Sequence, residues 1–168
     1  KYDISPVTKA DTEINSMVIQ RVREAFPEHA VIGEEESNDI DAKYVWLCDP
    51  VDGTLNYAAG VPLATFSLAL VDKTDGQPVI AVIYDPFCGR LWDASKSHVS
   101  LNGRPCRVND INTSSPQAIV DVSGLSYHPK KHILNPIKLV TGLTDEGYRV
   151  TIHQSICICS AMVASGEF

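Results

Sequence analysis

The chain has 168 residues, 44% hydrophobic and 21% charged, enough to bury a sizeable core in one ordinary soluble domain or one and a fraction. A formal net charge of −7 excludes a broadly basic nucleic-acid groove or a face built for an anionic membrane, while leaving room for a local cationic pocket. The five cysteines, Cys48, Cys88, Cys106, Cys157 and Cys159, form no Cys-x-x-Cys pair and no Cys/His zinc spacing, so a reducing, cytoplasmic setting is expected.

In chain order, Ser5-Pro6-Val7-Thr8 reads as extended or turn-like, because Pro6 fixes its own φ and restricts Ser5. Thr8 is placed to cap a helix running to about Phe26, with Asp11 as an acidic variant of the capping box. Ile14, Val18, Val22 and Ala25, helped by Met17, recur at helical spacing and predict one buried face ended by Pro27. Asp11 has an ordinary explanation, a carboxylate favoured by the helix dipole, with catalysis as the alternative. Ala30-Val31-Ile32 is a short apolar strand stopping at Gly33, and Glu34-Glu35-Glu36 comes directly off it. At least the first of these acids can therefore point inward. Ser37 to Lys43 reads as a loop.

Tyr44-Val45-Trp46-Leu47-Cys48 is a strand by length and by its aromatic and β-branched content, and Pro50 and Gly53 are expected to break it. Asp49 and Asp52 are thus delivered where a buried strand ends. Two like charges roughly 5 Å apart repel by about 3 kcal/mol at an effective dielectric near 20, so a turn holding both ionised needs a cation. Hard carboxylate oxygens suit magnesium, calcium or manganese. Gly53 and Thr54 offer backbone N–H groups where a phosphate can sit. The competing reading is a plain turn, since Asp, Pro, Gly and Thr are all common in turns.

Leu55 to Ala59 can make one or two helical turns before Gly60. Leu63–Val71, Pro78–Tyr84 and Arg90–Ala94 are strand-like, with hairpin chemistry between them and an Asn-Gly turn at Asn102-Gly103. A largely antiparallel sheet follows. Near residue 110 the pattern changes. Asn112 to Pro116 is linker-like, Ala118–Val122 an apolar strand, Pro129–Val140 a helix interrupted by Pro136, Tyr148–Ile152 a strand and Ser155–Ser165 a helix. Strand–helix–strand–helix predicts a parallel α/β layer. The expected division is residues 1–110 as an N-terminal metal-binding α+β portion and 111–168 as an incomplete α/β portion. Cys157-Ile158-Cys159 lies in an apolar segment and reads as small buried hydrophobes. The five histidines show no spacing that suggests a triad or zinc site.

Pro6-Val7-Thr8-Lys9-Ala10-Asp11, Ile32-Gly33-Glu34-Glu35 and Asp49-Pro50-Val51-Asp52-Gly53-Thr54-Leu55-Asn56-Tyr57 together resemble the inositol monophosphatase family in order and spacing. The similarity runs on to Val163-Ala164-Ser165-Gly166. It implies an α+β, layered α-β-α-β-α fold and a Mg²⁺-dependent, often lithium-sensitive phosphomonoesterase, with Mn²⁺ as a substitute and Li⁺ or Ca²⁺ inhibitory. Glu34, Asp49, the Val51 carbonyl and Asp52 would be metal ligands. Asp11, Glu34 and Thr54 would be catalytic, Thr54 and Asp11 positioning and deprotonating the attacking water. The Gly53 and Thr54 amides would hold the phosphate, Glu35 would lie behind the ligands, and Lys1 could match an upstream lysine of relatives.

The implied substrate is a small polyol or sugar phosphate. A nucleotide bisphosphate, fructose bisphosphate or histidinol phosphate is the variant within the same chemistry, and no nucleic-acid polymer or membrane is involved. A homodimer is left open. Relatives carry a longer N-terminal helix and a later Trp-Asp-x-Ala-Ala-Gly-like motif with a further ligand, so the chain reads as a front portion of the fold. The second departure is Lys96 to Ser100, where relatives usually have glycines. A catalytically incomplete, metal-binding or oligomeric fragment is therefore the alternative function.

Overall fold

Thr8 starts the first helix as its sequence suggests. Its N–H donates to Asp11 Oδ2 at 2.9 Å and its hydroxyl bonds the same carboxylate, closing the capping box. The structure, a computed structural model, describes residues 7–38, 40–110, 117–119 and 136–167. Helix α1 is Lys9–Ala25. Its buried stripe is Asp11, Asn15, Val18, Ile19 and Val22, whereas Met17 is 53% exposed and Ala25 is exposed as well. The stripe is polar at the start of the helix and apolar further on, and Met17 falls to one side of it.

Strand β1 is Ala30–Gly33, β2 Ser37–Asn38 and β3 Tyr44–Asp52. The predicted loop after Glu36 thus contains a short edge strand, paired antiparallel to β1. Pro50 does not break β3. The strand continues to Asp52, and its pairing with β4 (Thr65–Asp72) shifts register between Asp49 and Asp52. An irregularity of that kind accommodates a proline that has no N–H to give to the ladder. Helix α2 is Thr54–Ala58, followed after β4 by β5 (Gln77–Asp85), β6 (Arg90–Ser95), β7 (His98–Leu101) and β8 (Arg104–Pro105).

These eight strands form one sheet in the order β2-β1-β3-β4-β5-β6-β7-β8. The β1–β3 pair is parallel and the others antiparallel. A second, two-stranded parallel sheet joins β9 (Gln117–Ile119) to β10 (Arg149–Thr151). Helix α3 is Pro136–Asp145 and α4 is Ile156–Ala164. Pro136 opens α3 instead of interrupting it, since the first helical position needs no N–H. The expectations for Lys1, Ser5-Pro6, the 111–116 patch, the end of the β9 segment and residues 129–135 lie outside the described residues.

Helix α1 covers one face of the large sheet. Val18, Ile19 and Val22 meet Val31, Trp46 and Cys48, with Ile14, Phe66, Leu68 and Leu70 beside them. On the opposite face α4 packs Ile158, Cys159 and Ala161 against Trp92, Ile83 and Leu101. Leu68 pairs with Val82, and Ile83 is the next residue along, so strand alternation sends the two clusters to opposite sides. Each fully buried aliphatic side chain contributes about 1.5–3 kcal/mol. Polar bonds hold the C-terminal end of α4. Trp92 Nε1 donates to Ser165 Oγ at 3.1 Å, and Arg90, ion-paired to buried Asp85 at 2.9 Å, also reaches Glu167 at 3.1 Å.

Candidate metal and phosphate site

The acidic residues gather where β3 runs into α2. Val51 N donates to Asp49 Oδ1 at 3.1 Å, a local turn that folds the Asp49 carboxylate back over its own backbone. Gly53 follows with φ +92°, and a Cβ there would stand 2.8 Å from Leu63 O and 3.1 Å from Ser155 Cβ. Only glycine turns this corner without strain. Thr54 then opens α2. Its hydroxyl donates to Val51 O at 2.9 Å, and the same oxygen lies 3.4 Å from Asp11 Oδ1. Asp11 therefore closes the cap of α1 and also reaches Thr54, 43 residues away.

Glu34 arrives from the end of β1, where its N–H donates to Cys48 O at 3.1 Å and carries the parallel pairing one residue further. Its side chain is exposed but close enough to hydrogen-bond Asp49. Glu35 is half-buried in the same turn. That turn is fixed by Asn15, which is 1% exposed and whose Nδ2 donates to Glu36 O at 2.9 Å. A Cβ at Gly33 would lie 2.0 Å from Asn15 Oδ1, so the close approach of helix and turn needs glycine.

Asp52 is 9% exposed and takes its support from the far end of the chain. The Ser155 hydroxyl, Cys157 N at 2.9 Å and Thr65 Oγ1 at 3.4 Å all converge on its Oδ2. Asn56 completes the link, with Nδ2 donating to Leu63 O at 2.8 Å and to His153 O at 2.7 Å. Among the described residues, one ligand atom each from Asp49, Asp52 and Cys157 lie within 4.8 Å of one another. Glu34 is not in this group and is tied to it through its hydrogen bond with Asp49. Cys157 corrects its expectation: Cys159 is buried in the core, but the Cys157 thiol faces the acids.

Burial pushes the Asp49 carboxyl up to about 7, reinforced by the Glu34 and Asp52 carboxylates and opposed by the Val51 N–H. Burial is the main cause, and the two neighbouring carboxylates add to it, so a cation placed here would favour the ionised form. The donor set, carboxylate oxygens with a backbone carbonyl beside them, fits a hard divalent cation.

Sequence reasoning named Asp11, Glu34, Asp49, Val51, Asp52, Gly53 and Thr54, and all of them lie on the elements that meet here. It missed Asn15, Thr65, Ser155 and Cys157. Asn15 carried a signal, since it falls in the stripe of Asp11, Val18 and Val22 and is the second polar residue there. Ser155 and Cys157 carried none that is local.

The family profile described as Inositol monophosphatase family matches residues 1–168. The bifunctional phosphatase IMPL2, chloroplastic, of Arabidopsis thaliana is 29% identical over 171 residues, covering 99% of this chain and 47% of that protein. The histidinol-phosphatase of Streptomyces coelicolor is 35% identical over 106 residues, covering 62% of this chain and 40% of that protein. Among solved structures, the inositol monophosphatase from Anabaena (Nostoc) sp. PCC 7120 superposes with a TM-score of 0.79 at 28% identity, covering 96% of this chain and 64% of that one. The chain spans about half the length of the curated relatives it matches, 47% and 40% of these two.

Proposed function

The chain belongs to the inositol monophosphatase family, and from that premise we propose that it carries the cation-binding and water-activating part of a phosphomonoesterase for a small polyol or sugar phosphate. The observation that carries this reading is the convergence of the Asp49 and Asp52 carboxylates at the end of β3, with Thr54, two residues on, bonded to Asp11 of α1. Glu34, Asp49, the Val51 carbonyl and Asp52 would hold Mg²⁺, with Mn²⁺ as a substitute. Bound divalent cations supply positive charge to the phosphoryl group and activate water for attack.

The chain's own residues supply the proton path. Thr54 Oγ1 lies between Val51 O and Asp11 Oδ1. Turning its proton from Val51 O to Asp11 leaves the Thr54 oxygen free to accept a hydrogen bond from the attacking water. Asp11, 1% exposed, then takes negative-charge-stabilising hydrogen bonds from both Thr8 and Thr54. General base assistance of this kind contributes about 10²–10⁴-fold. The Gly53 and Thr54 amides, at the corner that glycine makes possible, are proposed to face the phosphate, with Glu35 behind the ligand shell. A reducing, cytoplasmic setting is proposed on the five cysteines, whose spacing shows no Cys-x-x-Cys pair and no disulfide framework. Among the described residues no helix is long and apolar enough to cross a membrane.

Phosphate release from inositol 1-phosphate, fructose 1,6-bisphosphate and histidinol phosphate, each with and without Mg²⁺, tests the reading on the full-length gene product. Mg²⁺-stimulated release from one of them is expected, and the substrate preferred fixes the specificity. No metal-stimulated release from any of the three overturns it.

A further inference from the structure

Cys157 is the one member of the ligand cluster that hard-cation chemistry does not use. Its sulfur lies with the Asp49 and Asp52 carboxylate oxygens inside a 4.8 Å group. The position is built, not incidental. Ser155 stands at the N-cap position of α4, Cys157 is the second residue of that helix, and both bond the same Asp52 oxygen, through the Ser155 hydroxyl and the Cys157 N–H at 2.9 Å. The side chains of Asp52 and Ser67 flank the thiol. Magnesium and calcium take oxygen ligands, whereas zinc and cadmium combine cysteine sulfur with carboxylate oxygen. A tetrahedral ion with Zn–O bonds of about 2.0 Å and a Zn–S bond of about 2.3 Å holds its ligand atoms about 3.5 Å apart.

We propose that the site has a second, soft-cation mode, in which a zinc-class ion is held by Cys157 Sγ, Asp49 and Asp52 and displaces the hard cation that shares those carboxylates. The inference rests on the proposed function only in placing hard cations among the same acids. As the sulfur–metal bond forms, the thiol proton leaves to solvent, and no oxidant or reductant is involved. Three protein ligands leave one position of the tetrahedron open, which is the arrangement of a site that still admits water or a phosphate oxygen.

Cd²⁺ serves as the probe, read by the ultraviolet thiolate-to-cadmium charge-transfer band on the intact protein. One equivalent is expected to saturate the band, excess Mg²⁺ to shift the titration to higher Cd²⁺, and Cys157→Ser to weaken Zn²⁺ and Cd²⁺ binding by more than the roughly ten- to hundredfold that loss of a ligand's orienting partner costs. Binding of Mg²⁺ by Cys157→Ser should stay near that of the parent. Cys88→Ser and Cys106→Ser, which remove thiols outside the cluster, should leave the band intact. Should Cys157→Ser fail to fold, alkylation of the parent decides: Zn²⁺ must protect the Cys157 peptide. A band that survives Cys157→Ser, indifference to Mg²⁺, or an unprotected Cys157 overturns the proposal. A Cys157-dependent band in a protein without Mg²⁺-stimulated phosphatase activity would sink the functional reading and leave the soft-cation mode standing.

Discussion

Ser155 and Asp52 lie 103 residues apart, and the serine hydroxyl sits on the aspartate's Oδ2 with both side chains buried. Ser155→Ala leaves that oxygen with the Cys157 and Thr65 donors alone. A lost partner on a buried polar atom costs about 1–3 kcal/mol. Urea denaturation should show that loss, and Mg²⁺ affinity should fall by about ten- to a hundredfold, as when a ligand loses its orienting partner. Unchanged metal affinity would show that the bond is structural only.

The Asp49 carboxyl predicts how the metal-free protein responds to pH. Its folded-state value is raised from the ordinary 3.8 to about 7, so between those values the folded chain holds a proton that the unfolded chain has released. The stabilising contribution is complete below pH 3.8 and is lost as pH rises through about 7. In EDTA, Tm should fall across that window, and Asp49→Asn should flatten the slope. Restoring Mg²⁺ should raise Tm most on the alkaline side, where the carboxylate charge is uncompensated.

Gly53→Ala places a methyl against Leu63 O in a left-handed conformation, at φ +92°. Strain at such a position costs about 1–3 kcal/mol. Thermal melting should register it, and the proposed phosphatase activity should fall by more than the stability loss accounts for, since the corner is proposed to present the Gly53 and Thr54 amides to phosphate. Gly76→Ala makes a control, since its φ of +68° carries the same backbone strain in a hairpin with nothing within 4 Å of the new methyl.

Asp11→Asn separates capping from proton transfer. Asp11 is the third helical residue of the capping box and accepts through both oxygens, so an asparagine, with one acceptor oxygen, keeps the Thr8 bond and loses the Thr54 one, at a cost of about 0.5–1.5 kcal/mol. On the proposed proton path the rate should fall by about 10²–10⁴-fold through kcat, because an amide cannot take up the Thr54 proton. A loss confined to KM would remove Asp11 from the proton path.

Local chemistry made much of this protein legible. The Thr8–Asp11 cap, the β4–β5–β6 hairpins and the two aspartates at the end of β3 each depend on residues within a few positions of one another. Pro50 misled, because a proline normally ends a strand, whereas here an irregular pairing between Asp49 and Asp52 carries β3 past it. Met17 misled as an apolar residue near the helical stripe, while Asn15, polar and fully buried, was part of the stripe itself. Ser155 and Cys157 were invisible for another reason. Cys157 sits in an apolar run whose pattern says only that it is buried, and its partner Asp52 is 105 residues back.

The anchoring of Asp52 by the start of α4 also sets an order of events during synthesis. A nascent chain that has emerged through β8 already holds Glu34, Asp49, Asp52 and Thr54, but the serine and the amide that restrain Asp52 are still to be translated. Domains fold as the ribosome delivers them. The acidic corner thus spends its first moments as a loosely held cluster of repelling charges, until α4 docks and restrains Asp52.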